Sequence, residues 1–534
     1  MIGKKWLFLL PLGGILTALT LVFPQIGLLE WVTMTPALVW LFAAARREEK
    51  MKLRAFLGAG WLYFLPFYLV IYHWFFYLYP MEFAGVSPAM AAGLVAICWL
   101  GLSVLQSIFS ALIFPLFGAL MRTKTMIRWP FLTPFLFAAQ YTVSEWSQTF
   151  TWMGVPWARL PLGQIECGFL PNGAALFGSY LLTFLLVCAN GFLAWFLLHR
   201  EKWRFCAIGA ASVLLFGVAA GGIGYAVTAP EKGRAIVVAA VQGNIGSSQK
   251  WDGESNLKTL EIYEKYTAEA ALQGAELVLF PETFLPYTLK EGNWVAEFVQ
   301  ELAVKYDITI MCGAFHAEGD ARYNGVFTVF PDGTISQTVY AKRRLVPFGE
   351  FVPWRAVIEV VFPPLAQINM LSRDLTPGEG PALVQTPFGQ VGGLICFDSI
   401  YESLTLDSVR AGADLLVLPT NDSWFLDSAA VYMHSAQARY RAIESGRWIV
   451  RSADTGISSI IDPHGNSHVQ LDPLVPGVSV YTAYVSNART PYSYIGNLIV
   501  YLMIAALLAL PAYELVYQLK NKKQAKIAES EEPQ

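Results

Sequence analysis

A series of long apolar runs constrains this chain more than any other feature. A helix that crosses a bilayer needs about 20 consecutive, mostly apolar residues. Seven such runs precede residue 230, near 6–28, 31–45, 55–79, 88–120, 129–145, 172–198 and 205–228, and an eighth spans about 494–518. With 55% hydrophobic and 14% charged residues among 534, the chain reads as a membrane protein too long for one ordinary domain. Residues 229–493 have ordinary polarity and are numerous enough to bury a core of their own. The expected parts are a bundle of seven spans over 1–228, a folded domain over 229–493, an eighth span over 494–518 and a tail over 519–534.

Short loops rich in Lys and Arg stay on the cytoplasmic side. The basic sites are Lys4 and Lys5, RREEKMKLR at 46–54, RTKTMIR at 122–128, HREKWR at 199–204 and KNKKQAK at 520–526. They fall before the first run and after the second, fourth, sixth and eighth. In the alternate loops Arg159 is the one basic residue found. Eight crossings therefore satisfy the rule at every loop, with both termini cytoplasmic and 229–493 on the far side. A cleaved signal peptide is the alternative for the first run, but no small-residue cleavage site precedes the second, and removal would break the alternation. Within the runs, few ionisable residues stand out beyond His73 and Glu514, which argues against an ion-coupled transporter.

The far-side domain alternates strand and helix. RAIVVAAVQGN (234–244) has the β-branched apolar character of a buried strand, and 254–273 places Thr259, Ile262, Tyr263, Tyr266 and Ala270 on one helical face. AELVLFPE (275–282), VAEFVQELAVKY (295–306) and ITIMCGAF (308–315) repeat the pattern. Paired strands then flank the turn PDG at 331–333, and QVGGLICF (390–397) and ADLLVLPT (413–420) follow as buried strands. A long helix is expected at 428–446, then a strand and turn at 456–466. Alternation of this kind implies an α/β layer structure, in which reactive groups gather where strands end. Glu282, Lys342 and Cys396 stand at such ends.

Those three residue types suit acyl transfer through a thioester. A free thiol is mostly protonated at neutral pH, and the thiolate is the attacking form. A carboxylate such as Glu282 can take the thiol proton and return it to a leaving group. An ammonium such as Lys342 favours the thiolate and stabilises an oxyanion. Glu350, eight residues on, is placed to hydrogen-bond the lysine. Taken singly, each has a plainer reading: a packed thiol, a solvated acid, a surface lysine. Cys312 is the other thiol of the domain, so a Cys312–Cys396 disulfide is a further alternative. No Cys/His spacing of a metal site, phosphate-binding loop or nucleic-acid patch is found, and no cofactor is expected.

The order of motifs resembles the nitrilase superfamily: FPETFLP with Glu282, YAKRRLVPFGEFVP with Lys342 and Glu350, ICFDSIYE with Cys396, and PTNDSWF at 419–425. Together with the membrane runs, VQGNIGSSQKWD (241–252), TWMGVPW (151–157) and 439–466 are similar to the apolipoprotein N-acyltransferase family over nearly the whole chain. The resemblance implies an αββα sandwich domain in the periplasm, on a multi-pass bundle in the bacterial inner membrane. It also implies an acyl chain passing from a phospholipid, usually phosphatidylethanolamine, through a cysteine thioester to the diacylglyceryl-cysteine of an apolipoprotein. Glu282 would be the base, Lys342 the oxyanion stabiliser, Cys396 the nucleophile and Glu350 a supporting carboxylate. Trp251 would lie near the membrane-facing entrance, with Phe397 and Trp424 also toward substrate. Phe351, Trp354, 357–371 and Trp424 are expected either to touch the bilayer or to pack the core. Where the family commonly has Cys-Tyr-Glu, this chain has Cys396-Phe397-Asp398, which leaves the roles of positions 397 and 398 open. Two other functions fit the pattern less well: a membrane-tethered amidase acting on a small amide, and a transporter or receptor that only binds ligand.

Overall fold

The computed structural model describes residues 6–47, 51–81, 85–151, 153–246, 250, 256–361, 363 and 373–531, with side chains to 521 in the last helix. Among them, six helices are long and apolar enough to cross a bilayer: Pro24–Ala45, Leu53–Leu78, Pro88–Leu120, Tyr180–Leu198, Arg200–Val227 and Leu498–Asn521. The first and fifth expected spans form shorter helices, Leu9–Val22 of 14 residues and Thr133–Ser147 of 15. At 1.5 Å per residue these cover about 21–23 Å, short of a hydrocarbon layer of roughly 30 Å. Length and composition alone therefore support six of the eight expected spans among the described residues.

The bundle depends on close backbone approach. A Cβ on Gly14 would stand 2.1 Å from the carbonyl oxygen of Tyr63, so glycine is what lets Leu9–Val22 lie against Leu53–Ile71. Two acids that the reading of the runs passed over, Glu30 and Glu145, are buried. Both hold the turn Leu160–Gln164, which folds back among the helices. Gln164 donates to Glu30 at 2.7 Å, and the Leu160 N–H donates to Glu145 at 2.9 Å. Irregular backbone away from water needs such partners.

The rest of the described chain contains two six-stranded mixed sheets. The first orders its strands β12-β1-β2-β3-β4-β5, the second β11-β10-β9-β8-β7-β6. Their ranges are β1 Arg234–Gln242, β2 Leu277–Leu279, β3 Thr309–Glu318, β4 Ala321–Val329, β5 Tyr340–Ala341, β6 Leu383–Thr386, β7 Gly389–Gly393, β8 Leu415–Thr420, β9 Ile449–Ala453, β10 Ser459–Ile461, β11 Ser467–His468 and β12 Gly477–Val485. Alternation along β1 explains the layering. Ile236, Val238 and Ala240 share a core with Leu415, Val417 and Val450 of the other sheet. Ala239 and Val241 point the other way, toward Tyr263 and Val299 of the helices Asn256–Leu272 and Trp294–Tyr306. On the far face of the second sheet lie the helices Glu402–Ala411 and Ala429–Ser445. The order is helix, sheet, sheet, helix. A single apolar cluster joins Leu416 and Ile449 through Leu404, Ala438 and Tyr440 to Trp157, Leu160 and Leu182 of the bundle. The second helical layer therefore sits directly on the membrane part.

Candidate active site

Strands β1, β2 and β3 run parallel, as do β7, β8 and β9, so the loops that leave their C-terminal ends emerge on a common side of each sheet. Glu282 stands three residues beyond β2. Its loop lies so close to β3 that a Cβ on Gly313 would meet the Glu282 Cα at 2.6 Å. Lys250, paired with Asp454 at 2.8 Å, donates to the Glu282 carbonyl oxygen at 2.9 Å. The Glu282 carboxylate is 5% exposed and accepts three hydrogen bonds. They come from Lys342 Nζ at 2.9 Å, Asn324 Nδ2 at 2.7 Å and the Asn421 N–H at 2.9 Å.

Lys342, the residue after β5, is 1% exposed. Besides Glu282 it meets Glu350, with Nζ 3.0 Å from Oε1 and 2.9 Å from Oε2. Glu350 in turn accepts from the Val346 N–H at 2.9 Å and from Asn324 Nδ2 at 3.0 Å. Burial works against the ammonium, but Glu282 and then Glu350 outweigh it and hold the lysine well above its ordinary pKa. One fixed cation is thus shared by two carboxylates.

Cys396 opens a 3₁₀ turn, Cys396–Ile400, three residues beyond β7. Its φ is +46°, a left-handed conformation that costs a non-glycine residue about 1–2 kcal/mol. Sγ lies 4.0 Å from the Asn421 carbonyl oxygen. Burial pushes the thiol well above the ordinary range, Glu282 adds to this, and Lys342 opposes it without prevailing. At rest the sulfur is therefore a neutral thiol: Lys342 favours the thiolate, but its charge is shared with two carboxylates and burial prevails. Cys312, buried in β3, and Cys396 are both free, so the disulfide alternative falls.

The carbon-nitrogen hydrolase family profile matches residues 237–489, and that of the apolipoprotein N-acyltransferase N-terminal domain matches residues 13–192. An apolipoprotein N-acyltransferase of Gloeobacter violaceus is 31% identical over 89% of this chain and 87% of its own. One of Geobacter metallireducens is 30% identical over 85% of both. The chain belongs to the apolipoprotein N-acyltransferase family. A solved amidase from Nesterenkonia sp. is 18% identical with a TM-score of 0.38, over 48% of this chain and 94% of that one.

In this N-acyltransferase family member Asp398 is a structural anchor. Asp398 is fully buried. One of its oxygens accepts from Tyr340 Oη at 2.8 Å and the Ile395 N–H at 3.1 Å; the other accepts from the Arg344 and Arg343 N–H groups at 2.8 and 3.3 Å. It thereby ties the chain leaving Lys342 to the turn bearing Cys396. Burial raises its pKa to about 6, with Lys342 and the backbone donors offsetting part of the effect. Phe397 is half-buried and its ring packs 5.6 Å from that of Tyr401. Trp424 is half-buried on the loop after β8. Trp251 lies outside the described residues.

Sequence reasoning missed Asn324, Asn421 and Lys250, which position Glu282, and the buried group Asp422, His434 and Arg451 behind the cysteine turn. It also left Arg159 as an anomaly. Arg159 is 1% exposed, donates to Ser179 at 2.7 Å, lies 3.4 Å from Glu402 and stacks 4.2 Å from the Tyr180 ring centroid. It pins the bundle to the helix that follows the cysteine turn.

Proposed function

We propose that this protein transfers an acyl chain from a phospholipid, phosphatidylethanolamine among the candidates, to the α-amino group of an apolipoprotein's diacylglyceryl-cysteine, by way of a thioester on Cys396. The observation that carries this reading is the 31% identity to an apolipoprotein N-acyltransferase across the bundle as well as the sheets. In the first half-reaction Glu282 takes the thiol proton as Sγ attacks the ester carbonyl. The oxyanion forms against Lys342, whose ammonium has three protons and two carboxylate partners. Collapse breaks the carbon–oxygen bond, and Glu282 returns the proton to the departing alcohol. In the second half-reaction the lipoprotein amine attacks the thioester, its proton goes to Glu282, the carbon–sulfur bond breaks and the sulfur is reprotonated. Glu350 keeps Lys342 in register throughout.

The working parts are a bundle over 1–228, a catalytic domain over 229–493 on the periplasmic face of the inner membrane, an eighth helix over 494–518 and a cytoplasmic tail over 519–534. Lipid access is supported by the helix Arg355–Val361, which follows Trp354, 65% exposed, and presents Val360 at 81% and Val361 at 72%. Purified protein mixed with phospholipid should gain the mass of one acyl chain on Cys396 and release one lysophospholipid per chain. A diacylglyceryl-cysteine peptide should discharge the adduct faster than water does. Active protein with no adduct on Cys396 would refute the reading, and discharge by water alone would favour the amidase alternative.

A further inference from the structure

Behind Cys396 lies a buried polar group with no part in the transfers above. His434, on the helix Ala429–Ser445, is 1% exposed, and Asp422 and Arg451 are fully buried. His434 Nδ1 is 2.7 Å from one Asp422 oxygen, and the other Asp422 oxygen accepts from Arg451 at 2.7 Å. Burial raises the Asp422 pKa, but His434 and Arg451 more than reverse this and hold the carboxyl below its ordinary range. An aspartate anion only accepts, so Nδ1 carries the proton between them. On the ring's other side, Nε2 stands 3.2 Å from both Ser399 Oγ and the Cys396 carbonyl oxygen. The Ser399 hydroxyl donates to that carbonyl at 2.8 Å. A protonated Nε2 donates to the carbonyl and a bare one accepts from Ser399; in both states the ring is tied to the turn. Trp157 and Phe425 flank the imidazole, with ring centroids 5.7 and 6.2 Å away.

The donor types resemble a zinc site, since ligand atoms of Cys396, Asp422 and His434 lie within 4.8 Å of one another. The hydrogen bonds argue for another role. Both Asp422 oxygens are committed, one of them to a guanidinium that a dication would have to displace. What the group does grip is the Cys396 peptide. An L-residue in the left-handed region persists only where its surroundings over-determine it, and here the carbonyl accepts from Ser399 and, when Nε2 is protonated, from His434 as well.

We infer that His434, braced by Asp422 and acting with Ser399, is a positioning residue that fixes the Cys396 peptide in its left-handed conformation and so aims the sulfur at Glu282 and Lys342. This deepens the proposed function and rests on Cys396 being the nucleophile. If the carbonyl is released, the turn relaxes toward negative φ and carries Cβ away. The test compares full-length wild type, Ser399→Ala and His434→Ala in three measurements. These are thermal unfolding, the rate of iodoacetamide capture on the Cys396 peptide, and kcat and KM for acyl loading from phospholipid. Ser399→Ala should load about tenfold more slowly, the loss of one ordinary hydrogen bond, and His434→Ala about a hundredfold more slowly. KM for the lipid and the unfolding temperature of Ser399→Ala should stay near wild type. Folded Ser399→Ala loading at the wild-type rate overturns the inference, and that variant decides alone if His434→Ala does not fold. If wild type itself takes up no acyl chain, the proposed function fails instead. The iodoacetamide rate still tests positioning in that event, with equal capture in wild type and Ser399→Ala overturning it.

Discussion

Glu282 does two opposed things to Cys396, and they can be separated. As a base it is needed to take the thiol proton; as a nearby negative charge it raises the thiol pKa, second only to burial. Glu282→Gln therefore has a signed outcome. The thiolate is the form that iodoacetamide captures, and lowering the pKa enlarges that fraction at any pH below it. With the carboxylate gone and Lys342 less neutralised, capture on the Cys396 peptide should be faster between about pH 7 and 9, roughly tenfold for each unit of fall. Acyl loading should drop by roughly a hundredfold or more. Slower capture at every pH would mean that the Glu282 charge does not hold the thiol pKa up. Glu282, Lys342 and Cys396 were legible because each sits in a contiguous motif at a strand end, and Glu350 because it shares the motif of Lys342. Asp422, His434 and Ser399 were not legible, because their chemistry exists only where three separate segments meet. Asp398 was noticed only as a departure from a pattern, and four hydrogen-bond donors gathered from both sheets give it its meaning.

At the level of elements, the strands that carry the site were legible from apolar runs: β1, β2 and β8 fall within expected segments, and β3 and β7 overlap theirs. Lengths were less so. Of the strand expected after the turn at 331–333, only Tyr340–Ala341 forms. Strand β12 went unread because its exposed Tyr481 breaks the apolar run, yet it pairs with β1 along nine residues, from Arg234 opposite Val485 to Gln242 opposite Gly477. Such pairing between the two ends of a domain leaves no local mark. Gly313 is the element-scale device with the clearest test. It lets β3 pass under the Glu282 loop, where an added Cβ would stand 2.6 Å from the Glu282 Cα and 2.7 Å from the Pro281 carbonyl oxygen. Gly313→Ala should cost about 1–3 kcal/mol of stability and, by shifting the carboxylate, roughly a hundredfold in acyl loading. Gly101→Ala, in a bundle helix with nothing within 4 Å of the new Cβ, should be neutral or slightly stabilising. Thermal unfolding and loading assays on both would check this, and a normal loading rate in Gly313→Ala would remove its role in placing Glu282.

For the whole molecule, the open quantity is the number of crossings, on which the side occupied by the catalytic domain depends. Six helices are long enough by themselves, but six crossings put Lys4 and Lys5 and the basic loop at 46–54 on opposite sides of the membrane, against the distribution of positive charge. Counting Leu9–Val22 and Thr133–Ser147 as crossings restores alternation at every loop. Arg159 does not disturb it, being buried against Glu402. Both short helices carry exposed aromatics at their two ends: Trp6, Phe8 and Phe23 on the first, and Trp129, Phe131 and Phe150 on the second. Aromatic belts mark the two water–lipid boundaries, and a short span is accommodated by local thinning of the bilayer at modest cost. Eight crossings are therefore expected, with 122–128 inside and 148–151 outside. Alkaline phosphatase fused after Thr151 should be active and the same enzyme fused after Lys124 inactive, with a cytoplasmic fluorescent reporter giving the opposite pattern. Equal phosphatase activity at the two sites would mean that Thr133–Ser147 does not cross, and would reverse the side assigned to the catalytic domain unless a second short helix also failed to cross.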